Sequence, residues 1–235
     1  MNVNSHVLRR AQARDAAPGR GRAGRPYPGR KARERAQRRG DVLAAARRLF
    51  ARKGYARGTM VEIAGAAELA LGTLYQLFPS KEAILYHLLE SYIDGLTARV
   101  RAAIEGAADP REQLARVVQA QLEFSQENAD VLRLYLSGWI GYEFTVRRRF
   151  GEQIDDKYEE YLRLLAGVFS RGSRSGVFAN EPPRRLAVAL GGMIHTLIRR
   201  WLRERGLDLA AEGKALLRLM MDGAGRPRRE TGTRR

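Results

Sequence analysis

The side chains best suited to catalysis are few in this sequence and lie far apart. The chain has 235 residues, no cysteine and only three histidines, His6, His87 and His195. No spacing indicates a nucleophile with its base, a metal cluster or a glycine-rich phosphate loop. We therefore expect neither an enzyme nor a bound cofactor, and the absence of cysteine fits a reducing cytoplasm.

Arginine and lysine supply the dominant chemistry, which is electrostatic binding. The formal net charge is +17, and residues 1–40 alone carry twelve basic against two acidic side chains. Residues 223–235 add five basic side chains against one acidic, so the chain between the two ends is nearly balanced. An excess of this size at the ends of a chain indicates a polyanionic partner such as nucleic acid.

Residues 1–32 form the first expected segment, a disordered basic arm rich in glycine and proline. Little in this segment can be buried, so nothing offsets the entropy cost of ordering it. Within the arm, Gly24-Arg25-Pro26 resembles the core of an AT-hook, which inserts arginine into a narrow minor groove. The simpler alternative is a non-specific electrostatic arm. We expect a second flexible basic tail at residues 223–235.

Neither export nor membrane insertion is expected. The N-terminal arginines are not followed by an apolar segment, as a signal peptide would require. The longest apolar stretch runs over residues 186–198 and stops at Arg199 and Arg200, which is too short to cross a bilayer.

Helical periodicity predicts an all-α fold with a three-helix domain at residues 33–80. Apolar residues recur at three- and four-residue spacing from Val42 to Phe50, and Gly54 supplies a stop. Thr59 and Glu62 form a capping box that opens a short helix. A second short helix follows, and Pro79 interrupts the pattern.

The remaining chain, residues 81–222, is predicted to form a larger helical domain. Ser80 caps a long helix that runs to about Gly106, and Asp109 with Pro110 opens the next. Further helical segments occur near residues 129–141, 145–171, 183–204 and 208–221. No alternating strand pattern of useful length interrupts them.

The two short helices joined by a tight turn match a helix-turn-helix, whose second helix lies in the major groove of DNA. Leu74, Leu77 and Phe78 share a narrow arc on that helix and should face the core. This turns Gly72 and Gln76 outward, with Thr73 and Tyr75 flanking them. The outward residues should meet DNA, where glutamine can pair with adenine.

The amino-acid sequence of the helix-turn-helix region closely resembles the DNA-binding domain of the TetR family of bacterial transcription regulators. The resemblance covers about residues 42–89. The residues that carry it are Leu49-Phe50, Gly54-Tyr55, Thr59, Ile63-Ala64, Gly72-Thr73-Leu74-Tyr75, Phe78 and Ser80-Lys81-Glu82. The resemblance implies a homodimer that binds double-stranded operator DNA, with the last two long helices forming the dimer contact.

The resemblance also assigns DNA contacts to individual side chains. It implies that three of them touch phosphates, namely Thr59, Tyr75 and Lys81. It places four residues near base edges, namely Leu71, Gly72, Thr73 and Gln76. The position of Leu71 also permits packing beside Leu74.

Two residues depart from the family pattern. Glu68 stands where the turn has a glycine, and Ala70 stands where a serine or threonine caps the second helix. A left-handed conformation at a non-glycine residue costs about 1–2 kcal/mol, and a missing cap costs about 1 kcal/mol. Either the turn adopts another conformation, or the DNA-binding domain is less stable than is usual for the family.

A small, mostly apolar effector is expected to bind among the distal helices and to release a repressor from its operator. Tyr135, Trp139 and Tyr142 lie on one helical stripe and are the candidate ligand contacts, although such stripes are more often core. A protein that merely coats nucleic acid would also explain the basic ends. It would not need a large, charge-balanced helical domain beyond the helix-turn-helix.

Overall fold

The computed structural model describes residues 29–137 and 142–222, without the side chains of residues 135–150. The described chain is helical throughout its regular structure and contains no strand. This confirms the all-α prediction. None of the helices in this part is long and apolar enough to cross a bilayer.

The described helices follow one another with short connections. Their bounds are α1 Arg30–Arg57, α2 Met60–Ala66, α3 Leu71–Leu77, α4 Lys81–Glu105, α5 Pro110–Glu127, α6 Ala129–Ser137, α7 Tyr142–Arg174, α8 Pro183–Arg203 and α9 Leu209–Asp222. The first helix begins at Arg30, three residues before the predicted start at Arg33.

The chain divides into two compact units, residues 1–37 and residues 38–235. The described part of the first unit is the exposed beginning of α1, where Arg30 pairs with Glu34 at 2.7 Å. The division does not fall at the predicted domain limits, which place boundaries after residues 32, 80 and 222. Those limits remain a prediction.

Helix starts follow the local sequence signals. The side chains of Thr59, Ser80 and Asp109 each accept a hydrogen bond from a backbone N–H in the first turn of the helix that follows. Gly54 carries φ +79 and bends the end of α1, a conformation that glycine adopts without steric cost.

One hydrophobic cluster contains residues of α1, α2, α3 and α4 together with part of α6. Val42, Phe50, Leu74 and Ile84 are its fully buried centre, and Leu134 of α6 closes one side. The helix-turn-helix therefore shares a continuous core with α6, which begins about fifty residues after the end of α3.

A second cluster fills the space between α4, α5, α7, α8 and α9. Its largest buried side chains include Tyr161, Phe169 and Leu190. The Tyr161 hydroxyl donates to Gln121 Oε1 at 2.8 Å, and burial raises the pKa of Tyr161 well above its usual value. This cluster fixes α4, which begins directly after the helix-turn-helix.

Candidate nucleic-acid interface

The start of α2 is held by a complete set of side-chain contacts. Thr59 Oγ1 accepts from the Glu62 N–H at 3.3 Å, and Glu62 Oε2 accepts from the Thr59 N–H at 3.0 Å. Lys53 forms an ion pair with Glu62. The hydrogen bond from Lys53, followed by those from Thr59, lowers the pKa of Glu62 to about 2. Thr59 itself is exposed.

The turn between α2 and α3 has the left-handed residue that the family pattern requires. Glu68 adopts φ +56, although it is not a glycine. The Leu69 N–H donates to Ala64 O at 2.9 Å and closes the turn. Of the two alternatives, the structure therefore shows the unfavourable backbone conformation rather than a different turn.

The second departure is also visible in the structure. Ala70 occupies the N-cap position of α3 and offers no side-chain hydrogen bond. The first turn of α3 thus lacks the capping oxygen that α2 has in Thr59. Both departures leave α3 with fewer local stabilising contacts than α2.

The two faces of α3 separate as predicted. Leu74 and Phe78 are 0 % exposed and Leu77 is 8 % exposed, so all three face the core. Tyr75 is 49 % exposed, and Gly72 and Gln76 are exposed as well. Thr73 is half-buried.

Leu71 is 38 % exposed, which leaves it on the surface rather than packed with Leu74. The outward face of α3 therefore carries an apolar side chain, an amide, a phenol and an open backbone at Gly72. These groups suit thymine methyl groups, base edges and phosphates in a major groove.

Lys81 makes a set of contacts that the sequence did not reveal. Its ammonium donates to three backbone carbonyls at the end of α1, Tyr55 O at 3.0 Å, Ala56 O at 3.2 Å and Gly58 O at 2.9 Å. It also lies 4.5 Å from the centre of the Tyr55 ring. A lysine has three N–H donors, and here all three are used within the protein.

Arg39 is a second side chain that sequence reasoning missed. It donates to Leu77 O at the end of α3 and bonds to His87 of α4. A signal was present, because Arg39 precedes Val42 by three residues and Ala46 by seven. That spacing places it on the apolar stripe of α1.

Arg47 connects α1 to α6 by two 2.6 Å hydrogen bonds to Asp130. Burial alone would raise the pKa of Asp130, but the bonds from Arg47 and from the Val131 N–H outweigh it and lower that pKa. The hydrogen bond to Asp130 likewise raises the pKa of Arg47. The contact lies beside the shared core of α1 to α4 and α6.

Comparison with known proteins identifies the family of the helix-turn-helix and of the helical region that follows it. Residues 42–88 match the family described as bacterial regulatory proteins, tetR family. Residues 107–224, half of the chain, match the tetracyclin repressor-like C-terminal domain. The chain belongs to the TetR family. It is a DNA-binding transcription regulator built on the helix-turn-helix described above.

Among TetR-family relatives, the chain is 30 % identical over 182 residues to the transcriptional activator FasR of Mycolicibacterium smegmatis, covering 76 % of this chain and 80 % of FasR. It is 29 % identical over 141 residues to the transcriptional repressor KstR2 of Mycobacterium tuberculosis, covering 60 % of this chain and 69 % of KstR2. A crystal structure of a regulator from Saccharomonospora viridis in complex with choline superimposes with a TM-score of 0.68 at 27 % identity. That match covers 79 % of this chain and 96 % of the other.

The predicted ligand contacts lie outside the described residues. Trp139 falls in the gap at residues 138–141, and the side chains of Tyr135 and Tyr142 are not described. The basic arm to residue 28 and the tail at residues 223–235 also fall outside. Among the described residues no cluster of histidine, aspartate or glutamate could hold a metal ion.

Proposed function

We propose that this TetR-family chain is a homodimeric repressor that reads a pseudo-palindromic operator in the cytoplasm and performs no catalysis. The outward face of α3, opposite the buried Leu74 and Phe78, is the observation that carries the proposal. One helix of this length reaches too few base pairs to be selective, whereas two-fold symmetry doubles its footprint.

The DNA contacts follow from the exposed side chains. Leu71, Gly72, Thr73 and Gln76 approach base edges, while Thr59 and Tyr75 bind phosphates. Contacts to phosphates position the protein, and contacts to bases select the sequence. A phosphate contact by Lys81 would require its ammonium to leave at least one of the three carbonyls that it binds in this structure.

Exposed apolar side chains on the last two helices support the dimer. Val188 of α8 is 45 % exposed and Leu219 of α9 is 49 % exposed. Other apolar residues of these helices, among them Met193 and Trp201, are only partly buried. Covering such a surface with its symmetry copy would remove apolar area from water.

A small, mostly apolar effector is proposed to release the operator. Tyr135, Trp139 and Tyr142 are its proposed contacts. The regulator from Saccharomonospora viridis was crystallised in complex with choline, a small cation whose methylated ammonium group aromatic side chains can hold. Helix α4 starts right after the helix-turn-helix and runs into the distal core. A displacement of α4 can change the distance between the two helix-turn-helix domains of the dimer, which must lie about 34–36 Å apart to bind successive major grooves.

The arm is proposed to raise affinity without selecting the site, because flexible arginines mainly release counterions from phosphates. Deletion of residues 1–28 should flatten the salt dependence of binding and leave the selected operator unchanged. Loss of a preference for A·T-rich flanks would instead support the minor-groove hook at Gly24-Arg25-Pro26.

Selection of genomic fragments by the purified full-length chain, followed by footprinting, tests the operator. The proposal expects a two-fold symmetric footprint and binding that stays selective as salt increases. A monomer that protects one unsymmetrical site contradicts it. Binding that loses all selectivity at raised salt indicates a protein that coats nucleic acid.

A thermal-shift screen then tests the effector. Compounds that stabilise the chain should lower operator affinity by about 5–150-fold, which corresponds to a coupling of 1–3 kcal/mol. Stabilising compounds that leave operator affinity unchanged, across a broad library, contradict release by ligand.

A further inference from the structure

The C-terminal end of α3 is held by one arginine from α1. Arg39 Nη1 donates to the carbonyl of Leu77, the last residue of α3, at 2.6 Å. Its guanidinium carbon lies 4.2 Å from the centre of the Phe78 ring. The last carbonyls of a helix have no partner within the helix and carry partial negative charge, so a cation there is favourable.

Among the described residues, the bond from Arg39 to Leu77 O is the only side-chain hydrogen bond at either end of α3. The N-cap residue Ala70 makes no side-chain hydrogen bond, and the preceding turn contains the left-handed Glu68. The orientation of α3 therefore depends on its buried face and on Arg39. A guanidinium can donate along its edge while its flat face lies against a ring, and the ammonium of a lysine has no such flat face.

Arg39 is in turn held by His87 of α4. Arg39 Nη2 lies 2.9 Å from His87 Nε2, and His87 Nδ1 lies 2.7 Å from Glu90 Oε2. A guanidinium only donates, so Nε2 must accept and Nδ1 must carry the proton that is donated to Glu90. This geometry requires an uncharged His87.

The groups around His87 come from α1, from α4 and from the residue that follows α3. Arg39 faces it from α1, and the Phe78 ring after α3 lies 5.5 Å away. Glu90 and Tyr86 face it from α4, with the Tyr86 hydroxyl donating to Glu90 Oε1 at 3.1 Å.

Helix α7 adds Lys157, which lies 3.6 Å from Glu90 Oε1 and 2.6 Å from Asp94 Oδ1. Helix α3, the recognition helix of the helix-turn-helix, is thus linked to α7 through Arg39, His87 and Glu90. Protonation of His87 would turn Nε2 into a donor that points at the Arg39 guanidinium, and that hydrogen bond would be lost.

We propose that Arg39 is a positioning residue for the recognition helix and that uncharged His87 keeps it in place, so that operator affinity falls when His87 is protonated. The proposal rests on operator binding by α3. Arg39 acts through the Leu77 carbonyl and the Phe78 ring and makes no contact with DNA.

Salt titration of operator affinity tests the role of Arg39. Arg39→Gln should lower affinity by about tenfold or more, with an unchanged slope of log affinity against log salt. Arg39→Lys, which keeps the charge, should recover only part of the loss. Each variant is checked by circular dichroism at the assay temperature and by sizing.

Arg38→Gln is the matched control, since Arg38 is the exposed neighbour with the same charge. Any loss of affinity in this control should come with a shallower slope, because each lost phosphate contact changes the slope by about 0.9. The same shallower slope in Arg39→Gln would make Arg39 a phosphate contact and overturn the proposal. Wild-type affinity in a folded Arg39→Gln dimer would also overturn it.

A pH titration tests His87, because histidine side chains change charge between about pH 5 and 8. His87→Gln can accept from Arg39 and donate to Glu90 without titrating. The wild type and the control His195→Gln, an exposed histidine of α8, should lose operator affinity on acidification more steeply than His87→Gln does. Parallel pH profiles for all three proteins would overturn the proposal.

Failure of the proposed function and failure of this inference give different results. A wild-type chain that selects no fragment at any salt or pH contradicts the proposed function. Selective wild-type binding with no effect of the Arg39 and His87 variants contradicts this inference alone.

Discussion

The two short helices of the helix-turn-helix are equal in length and differ in how they are held. Both have seven residues. Helix α2 opens with a full capping box and the Lys53–Glu62 ion pair. Helix α3 opens with an alanine that caps nothing, after a glutamate in a left-handed conformation.

This difference shows that α2 adds local contacts at its start to its buried Ile63 and Ala64, whereas α3 depends on contacts from the rest of the protein alone. Short helices are marginal unless tertiary packing supports them. The support for α3 comes from Leu74, Leu77 and Phe78 in the core and from Arg39 at its end. The helix that reads DNA thus depends on contacts that other parts of the chain can change.

The largest expected effect is loss of the buried face of α3. Leu74→Ala removes a side chain that is 0 % exposed and should lower the free energy of unfolding by about 2–5 kcal/mol. Leu71→Ala, on the exposed face of the same helix, should change it by only about 0.5 kcal/mol. Urea unfolding measures both, and equal losses would mean that α3 is not anchored through its buried face.

Lys81 gives the next largest effect. Lys81→Met removes the donors to three carbonyls at the end of α1 and should lower the free energy of unfolding by about 1–3 kcal/mol. Arg52→Met, an exposed charge on α1, is the control and should have little effect.

The same Lys81 variant separates two roles. If Lys81 only holds the end of α1, the salt slope of operator binding stays as in the wild type. A slope that becomes shallower by about 0.9, with unchanged stability, would show that Lys81 binds a phosphate instead.

Removal of the backbone strain in the turn between α2 and α3 should have a smaller effect on the free energy of unfolding, and of opposite sign. Glu68→Gly removes the steric cost of φ +56 and should raise the free energy of unfolding by about 1 kcal/mol. Ala67→Gly is the control, because Ala67 has φ −97 and gains nothing from glycine. Thermal unfolding distinguishes them, and a destabilised Glu68→Gly would show that the glutamate side chain contributes more than the strain costs.

The smallest effect is expected at the exposed cap of α2, and it depends on pH. The pKa of Glu62 is lowered from 4.5 to about 2 by Lys53 and Thr59. The folded state therefore favours the carboxylate. The stability that Glu62 contributes should be complete above about pH 5 and should disappear as the pH falls towards 2.

The difference in unfolding free energy between wild type and Glu62→Gln, measured from pH 6 to pH 2.5, should shrink on acidification. A difference that stays constant or grows over this range would contradict the role of the Glu62 carboxylate.

The local features of the helix-turn-helix could be predicted from sequence, because their partners lie a few residues apart. Thr59 and Glu62 form the capping box, and Ser80 caps α4, as expected. The buried arc of Leu74, Leu77 and Phe78 follows from helical periodicity alone.

The contacts of Arg39 and Arg47 could not be predicted, because their partners lie 38 to 83 residues away in sequence. Helical spacing places Arg39 on the apolar stripe of α1, but it does not show which helix end or which histidine the side chain reaches. Lys81 illustrates the same limit, since the sequence shows a cation at a helix start and not the three carbonyls it reaches.

The exposed face of α3 is proposed to select the operator sequence. The direct measurement is the base preference at each operator position, obtained by selection from randomised sites with the wild type, Gln76→Ala and Thr59→Ala. Gln76→Ala should lose about 1–3 kcal/mol of discrimination at one position in each half-site. Thr59→Ala should weaken all sequences alike. An unchanged preference at every position in Gln76→Ala would contradict base reading by this residue of α3.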